Sequence, residues 1–204
     1  SGAIGGSVHL NTRLIYEDTT EHNIFLQYGS YNTKDARYNL NLATKKWSLN
    51  LALARTSSDN NYELPNGSKN LNGGFENTAL NVGVGFKINT QNSLRFFSEI
   101  FDGERHFSVL RTSETRTKYQ DVNSKNLLEW ESHFGEFVSI ARLAYLEENY
   151  KYFPNINSDS FSFGEAKTVV AKYDLSYSIT DKLKLNTVLT NTNTNGKGSS
   201  LGEN

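Results

Sequence analysis

The sequence predicts an all-β protein, built as an antiparallel up-and-down meander of about nine strands. Apolar and polar residues alternate with a period of two over most of the chain, as they do in strands with two unlike faces. The connections between these segments are two to four residues long after every second segment, and medium or long after the others. No run approaches the ~18 apolar residues that a membrane helix requires.

The first three strands are predicted at 22–30, 36–43 and 47–54. In the first, Ile24, Leu26 and Tyr28 share one face. The second and third alternate cleanly, and a tight turn joins them. A turn at 31–35 is expected between the first strand and the second.

The fourth and fifth strands are predicted at 78–88 and 93–105, after a loop at 57–77 that is rich in Asn, Ser and Gly. Leu, Val and Phe residues of the fourth strand fall on one face. Phe97 and Phe101 lie on the polar face of the fifth strand and leave its orientation open.

The sixth and seventh strands are predicted at 118–132 and 137–150, after a loop at 106–117. Glu129 and Glu131 share the polar face of the sixth strand, where they would form a polar wall or contact basic residues of another domain. The seventh strand has apolar residues on both faces, and Arg142 leaves its orientation open.

The eighth strand, predicted at 161–179, follows a loop at 153–159 and alternates most clearly of all. The ninth begins at residue 183 after a short turn. Lys172, Asp174 and Lys184 are expected to form cross-strand ion pairs between these two strands.

Together these features predict part of a transmembrane β-barrel. Neighbouring antiparallel strands place every second connection on the same side, and short turns on one side with long loops on the other are typical of outer-membrane barrels. Several strands exceed the ~9–11 residues that suffice to cross a bilayer. We expect one face to point to lipid (Leu49, Leu51, Leu53, Leu80, Val82, Val84, Tyr173, Leu175, Leu183, Leu185) and the other to the lumen (Asn50, Asn81, Lys87, Lys172, Asp174, Lys184).

Aromatic residues gather near both ends of the predicted strands, as in the two interfacial girdles of membrane barrels. Those near the short turns are Trp47, Phe86, Trp130 and Tyr177. Those near the long loops are Tyr62, Tyr150 and Tyr152. Aromatic residues are also common in other β-sheets, so this pattern supports the barrel without requiring it.

Composition fits a wall with only one apolar face. The 204 residues are 36% hydrophobic, with a net charge of −1 and neither Cys nor Met, and ordinary globular domains are ~45–50% apolar. A polar, loop-rich soluble β-protein has a similar composition. The absence of Cys excludes disulfides, and the near-neutral charge does not indicate a nucleic-acid surface. The absence of Met leads us to expect a piece of a longer protein.

The first residues carry the most specific resemblance. Ser1 is followed by Gly2, Ala3, Ile4, Gly5 and Gly6, and then by a short alternating strand. This motif resembles the end of the plug domain of TonB-dependent outer-membrane receptors, just before their first barrel strand. The segment 23–33 resembles the first barrel strand of the family. The segment 46–50, followed by 58–62, is similar to the third strand and its outgoing loop in the receptors for cobalamin and siderophores.

The resemblance implies that residues 1–18 are the end of the plug and a linker, and that 19–204 are the N-terminal portion of a barrel of about 22 strands. It also implies the outer membrane of a Gram-negative bacterium, and active import of a ferric siderophore, cobalamin or haem. The TonB complex and outer-membrane lipid would be the partners. The acidic calcium-binding loops of the family are not evident. Nine strands with two open edges should need further strands to be stable in a membrane.

Residues of the outer loops are the candidates for cargo contact, because function concentrates where a rigid scaffold presents loops. The candidates are Tyr62, Asn70, Asn72, Phe75 and His106. No catalytic motif or metal-ligand spacing stands out, so we expect no enzyme activity, no metal site and no cofactor. A passive porin-like barrel and a soluble β-sheet binding module are the alternative functions.

Overall fold

The computed structural model describes residues 14–180 and 182–199, and within these ranges it contains one nine-stranded antiparallel sheet and no helix. The strands follow sequence order from β1 to β9, so the predicted all-β meander is confirmed. The motif at 2–6 lies outside the described residues. The strands are β1 Thr19–Gly29, β2 Thr33–Ala43, β3 Trp47–Ser58, β4 Phe75–Lys87, β5 Asn92–His106, β6 Lys118–Phe134, β7 Phe137–Phe153, β8 Ser162–Thr180 and β9 Leu183–Gly198.

The first connection is shorter than predicted. β1 and β2 are joined by three residues, so the predicted turn at 31–35 is wrong, and the pattern of medium or long connections holds only after β3, β5 and β7. The reason is a tight turn in which Tyr31 and Asn32 both have positive φ, at 59° and 54°. Two such residues match the twist of a hairpin. The amide of Thr33 closes the turn by donating to Ser30 O at 3.2 Å.

The strand register separates two unlike faces, because directly opposed residues of antiparallel strands point to the same side. One continuous row contains Trp47, Phe86, Leu94, Trp130, Ala141, Tyr173 and Leu189. The neighbouring row on the opposite face contains Ser48, Gly85, Arg95, Glu129, Arg142, Lys172 and Thr190. The predicted division of residues into an apolar and a polar face is therefore confirmed.

The polar face is concave. Asn50 of β3 and Lys172 of β8 line the same open cavity of about 1050 Å³ although four strands separate them, so the sheet curves around this space. The apolar face is convex and uncovered, with Leu189 65% exposed and Trp130 52% exposed. Among the described residues the only buried apolar side chains are Leu14, Ala43 and Val109. The sheet thus exposes most of its large apolar side chains on the convex face, and charged side chains such as Arg95, Glu129 and Arg142 line the concave cavity.

Candidate functional site

The segment 14–18, which we call the strap, precedes β1 and lies across the concave face. Leu14 is 8% exposed, and its side chain packs against Gly83 and Gly85 of β4. The Tyr16 side chain lies over Gly85, and Lys87 places its Nζ 4.5 Å from the centre of the Tyr16 ring. The two glycines leave room for these side chains because they have no Cβ. The chain therefore enters β1 from the cavity side of the sheet.

A network of charged side chains crosses the same face beside the strap. Arg95 binds Glu129, with Nε 2.7 Å from Oε1, and also binds Glu131. Arg142 bridges Glu129 and Asp174. Glu129 is only 8% exposed, and burying a carboxylate costs free energy unless cationic groups pair with it. The network therefore forms a continuous set of ion pairs from β5 to β8.

The predicted ion pairs of β8 and β9 are wrong in their partners. Lys172 pairs with Asp174 of its own strand at 3.2 Å, and the cross-strand partner of Asp174 is Arg142 of β7. Lys184 lies opposite Ser178. The register explains these partners. Asp174 lies opposite Val188 of β9 and Ile140 of β7, and the long Arg142 side chain reaches it from two residues further along β7 on the same face.

An apolar stripe runs along the concave face next to this network. Gly83, Phe97, Leu127, Ala144 and Val170 form one register row, and all but Val170 line the cavity beside Leu14. Apolar side chains in a charged wall offer a surface for another apolar segment. The concave face therefore combines a continuous ion-pair network with a surface suited to packing against protein.

At the end of the sheet that carries the long loops, three of the predicted cargo residues lie in one hydrogen-bonded network. These are Asn70, Asn72 and His106, and we call their network the frame. Asn72 donates from Nδ2 to Phe107 O and Thr117 O, both at 2.8 Å, and its Oδ1 lies 2.9 Å from His106 Nδ1. Asn70 is 1% exposed and donates to Asn60 O at 2.8 Å. The two Asn72 bonds join the β3–β4 loop to the β5–β6 loop, and the Asn70 bond connects two parts of the β3–β4 loop. The side-chain amides of Asn70 and Asn72 would have to break these hydrogen bonds to bind a cargo.

The other two predicted residues lie apart from this frame's side chains. Tyr62 is half-buried, and its carbonyl oxygen accepts from Asn70 N at 2.9 Å. Phe75 begins β4 on the concave face, opposite Arg105, whereas the register places His106 on the convex face. The five residues thus do not form one site, and a role of each in cargo contact stays a prediction.

Glu104 of β5 is the centre of a polar cluster beside the frame, beyond the apolar part of its strand. Its carboxylate accepts from Gln120 Nε2 at 2.6 Å and from Lys118 Nζ at 3.1 Å, and lies 2.8 Å from His106 Nε2. Partial burial alone would raise the pKa of Glu104. These hydrogen bonds and the Lys118 charge outweigh burial and lower the pKa to about 2.

The structure shows a second concave surface that sequence reasoning missed. Tyr119 and Tyr150 stack with ring centres 5.4 Å apart and planes 9° apart, and Arg105 Cζ lies 5.0 Å from the Tyr119 ring centre. Arg105 is 61% exposed and only 3.6 Å from Asp121 Oδ2. We call Arg105, Tyr119 and Tyr150 the aromatic ledge.

The ledge is suited to a ligand that carries flat rings and negative charge. Its two phenol rings give apolar area with polar tips, and a guanidinium group binds anions through paired N–H donors. Burial and the charge of Asp121 raise the pKa of Tyr119, so its hydroxyl stays protonated and can donate. The sequence singled out only Tyr150, as a member of the aromatic girdle near the long loops. That prediction is wrong, because the register places Tyr150 and Tyr152 on the concave face. The ledge depends on the register between β5, β6 and β7.

Comparison with known proteins gives no family assignment, since no protein-family model matches the chain and no curated protein matches it. Over the ranges 14–180 and 182–199, no group of three or more His, Asp or Glu side chains is arranged to hold a metal ion. In the same ranges no helix is long and apolar enough to span a bilayer. The geometry of the two faces is therefore what bears on function.

Proposed function

We propose that the chain is part of the wall of an outer-membrane β-barrel of the TonB-dependent receptor type, which imports a scarce nutrient. In this proposal the convex face contacts lipid and the concave face surrounds the lumen. The strap is the end of a plug domain that occupies this lumen. Large apolar side chains contribute about 1.5–3 kcal/mol each when removed from water, so the uncovered convex face needs an apolar surrounding.

The apolar side chains of the convex face form a band, and the course of this band across the strands supports the proposal most strongly. On β1 the band is Ile24, Leu26 and Tyr28, and on β9 its exposed residues are centred near residue 186. The register row that starts at Leu26 ends at Lys197. The band therefore drifts by about eleven residues over eight strand intervals, which at ~3.3 Å per residue and ~4.8 Å per strand corresponds to a tilt of about 40°. Strands of membrane barrels are tilted by ~35–45°.

A planar boundary explains this drift. When strands are tilted, a flat hydrocarbon layer crosses each strand at a different register position, so the apolar residues shift along the strands by a fixed amount. An apolar face that packs on a protein core has no reason to follow such a plane. The drift of the band therefore favours the membrane over the soluble binding module.

Aromatic residues at the short-turn edge of the band agree with an interface. Trp47 and Phe86 lie opposite each other on the convex face, near the short-turn ends of β3 and β4. Because the band drifts along the strands, its edge on β6 to β8 lies about four residues nearer the short turns than the register row of Trp47. There Phe137 stacks on Phe134 and on Tyr177, with ring centres 5.4 and 4.4 Å apart. Aromatic girdles mark the headgroup level of membrane barrels. Tyr177 thus belongs to the outermost row of this edge.

The strap favours a plugged receptor over a passive porin. It enters from the cavity side, and the apolar stripe beside Leu14 offers a surface on which a lumenal domain can pack. A passive pore requires an open lumen and no such segment. The proposed cargo is a metal chelate, cobalamin or haem, held near the aromatic ledge, with the TonB complex as the source of energy.

Uptake by cells tests the proposal. Cells that carry the intact protein should import labelled ferric siderophore, cobalamin or haem only when TonB is present and the inner membrane is energised. Arg105→Gln and Tyr119→Ala should reduce uptake, and the matched changes Arg55→Gln and Tyr28→Ala on the convex face should not. Uptake in cells that lack TonB would refute active import and support the passive barrel.

A further inference from the structure

A cluster of aromatic rings and lysines lies on the convex face at the long-loop end of β6 to β8. The Phe161 ring centre is 5.4 Å from that of Phe153 and 6.4 Å from that of Phe163. Lys118 Nζ lies 4.9 Å from the Phe153 centre, and Lys151 Nζ lies 5.0 Å from the Phe161 centre. We call these five residues the Phe–Lys patch.

The register places this patch on the same face as the apolar band. Lys118 lies opposite Phe153, and Lys151 lies opposite Phe163. Residues at even spacing along a strand share a face, so Phe153 points to the same side as Tyr145, and Phe163 to the same side as Val169. The patch therefore faces sideways along the membrane plane.

The height of the patch limits what it can touch. Phe153 follows Tyr145, the last band residue of β7, by eight positions, and Phe163 precedes Val169, the last band residue of β8, by six. At ~3.3 Å per residue and a tilt of about 40°, these separations place the patch roughly 15–20 Å above the edge of the band. A phospholipid headgroup layer is only about 5–8 Å thick on each side. A phospholipid headgroup does not reach this level.

We propose that the Phe–Lys patch binds the phosphorylated oligosaccharide headgroup of an anionic glycolipid in the surrounding leaflet. This inference rests on the proposed function, since it requires the convex face to lie in a membrane. An oligosaccharide of several sugars extends far enough to reach the patch. The C–H faces of sugar rings pack on aromatic rings, which supply large apolar area. Lys151 is exposed, so its ammonium group can meet a phosphate, whereas the Lys118 ammonium group already pairs with Glu104 at 3.1 Å and contributes its packing against Phe153.

The chain offers a matched control at the opposite end of its strands. Lys46 Nζ lies 5.3 Å from the ring centre of Phe86 at the short-turn edge. This pair has the same chemistry as the patch but faces the other leaflet. Lys46→Gln therefore removes a similar cation without touching the proposed site.

The test uses the intact protein in phosphatidylcholine nanodiscs that contain one of three glycolipids. These are lipid A with a phosphorylated core oligosaccharide, the same lipid with a dephosphorylated core, and lipid A alone. Binding is measured by titration of a fluorescent derivative of each. We expect the phosphorylated core to bind most tightly, and Lys151→Gln and Phe161→Ala to weaken it about three- to tenfold, in line with exposed cation–π contacts. Lys46→Gln should leave binding unchanged.

Three results would overturn the inference. If the protein bound the three glycolipids equally, or if the patch variants and the Lys46 variant bound the phosphorylated core equally, the glycolipid site would be refuted. The barrel proposal would stay intact. A photocross-linker at position 161 that captures a protein in cells rather than glycolipid would assign the patch to a protein partner. Failure of the intact protein to insert into nanodiscs, judged by the lack of a heat-dependent shift on gels, would refute the proposed function as well.

Discussion

The side chain of Tyr16 occupies the space that a Cβ atom on Gly85 would need, and Leu14 Cδ1 lies 2.7 Å from the same point. Glycine at this position therefore allows the strap to lie on the concave face. Because the chain has no cysteine, a single Leu14→Cys change can report whether the strap is in place.

We predict that Gly85→Ala displaces the strap. A maleimide should label the Leu14→Cys protein slowly, and should label it several times faster when Gly85→Ala is added. Gly29→Ala is the control, since its new Cβ would meet only Thr33 Cβ at 3.8 Å, an ordinary contact. Equal labelling rates with and without Gly85→Ala would show that the strap does not depend on this glycine.

Arg142 is predicted to be the most important member of the ion-pair network. Arg142→Met leaves Glu129 and Asp174 without their shared cation, and breaking a buried pair costs about 3–5 kcal/mol. We expect about 3 kcal/mol, because the Arg142 side chain remains 28% exposed. The measurement is the free energy of unfolding in urea with the protein held in lipid vesicles.

The matched control for this prediction is Arg55→Met. Arg55 pairs with Glu76 at 2.6 Å, but both side chains are more than half exposed. Such pairs contribute about 0–1 kcal/mol. Similar losses for the two arginine variants would contradict the structural role of the network.

Asn72 is predicted to hold two loops together. Asn72→Asp keeps the shape of the side chain but removes the two donors to Phe107 O and Thr117 O. Each buried acceptor left without a partner costs about 1–3 kcal/mol. The amide of Leu71, which donates to Val109 O at 2.9 Å, should then exchange with deuterium faster. Asn66→Asp, an exposed turn residue that bonds only Ser68 N, should not change that rate.

Stability should depend on pH through Glu104. The pKa of this carboxyl is lowered from 4.5 to about 2 in the folded protein. A lowered folded pKa contributes stability that is fully present above the ordinary value of 4.5 and is lost as the pH falls toward 2. The difference in unfolding free energy between the parent and Glu104→Gln should therefore shrink from pH 5 to pH 2. A difference that stays constant over this range would contradict the prediction.

The sheet was predictable because period-two alternation is a local signal. From Leu80 to Phe86 every second residue is apolar, and the structure places these residues on the convex face. The face of Arg142 was harder to predict. Ala144 and Leu146, its neighbours on the concave face, are apolar, so β7 does not alternate clearly between apolar and polar residues. The predicted length of the turn between β1 and β2 was wrong. The shorter turn requires a positive φ at Tyr31, which is uncommon for residues with a Cβ.

The candidate site was less predictable, since it depends on contacts between residues distant in sequence. Asn72 bonds Thr117, 45 residues away, and no local pattern indicates that an amide will join two loops. The aromatic ledge likewise requires the register between β5, β6 and β7. Loop composition could indicate where polar and aromatic groups gather, but not which of them become buried.

The central claim is that the convex face contacts lipid and the concave face contacts water. Single spin labels at Val82 and Leu175, each compared with its neighbour at Asn81 or Asp174, test this claim in the intact protein in bilayers. Labels at Val82 and Leu175 should collide mainly with oxygen, which concentrates in hydrocarbon, and labels at Asn81 and Asp174 should collide mainly with a water-soluble nickel complex. Aqueous surroundings for Val82 and Leu175 would contradict it.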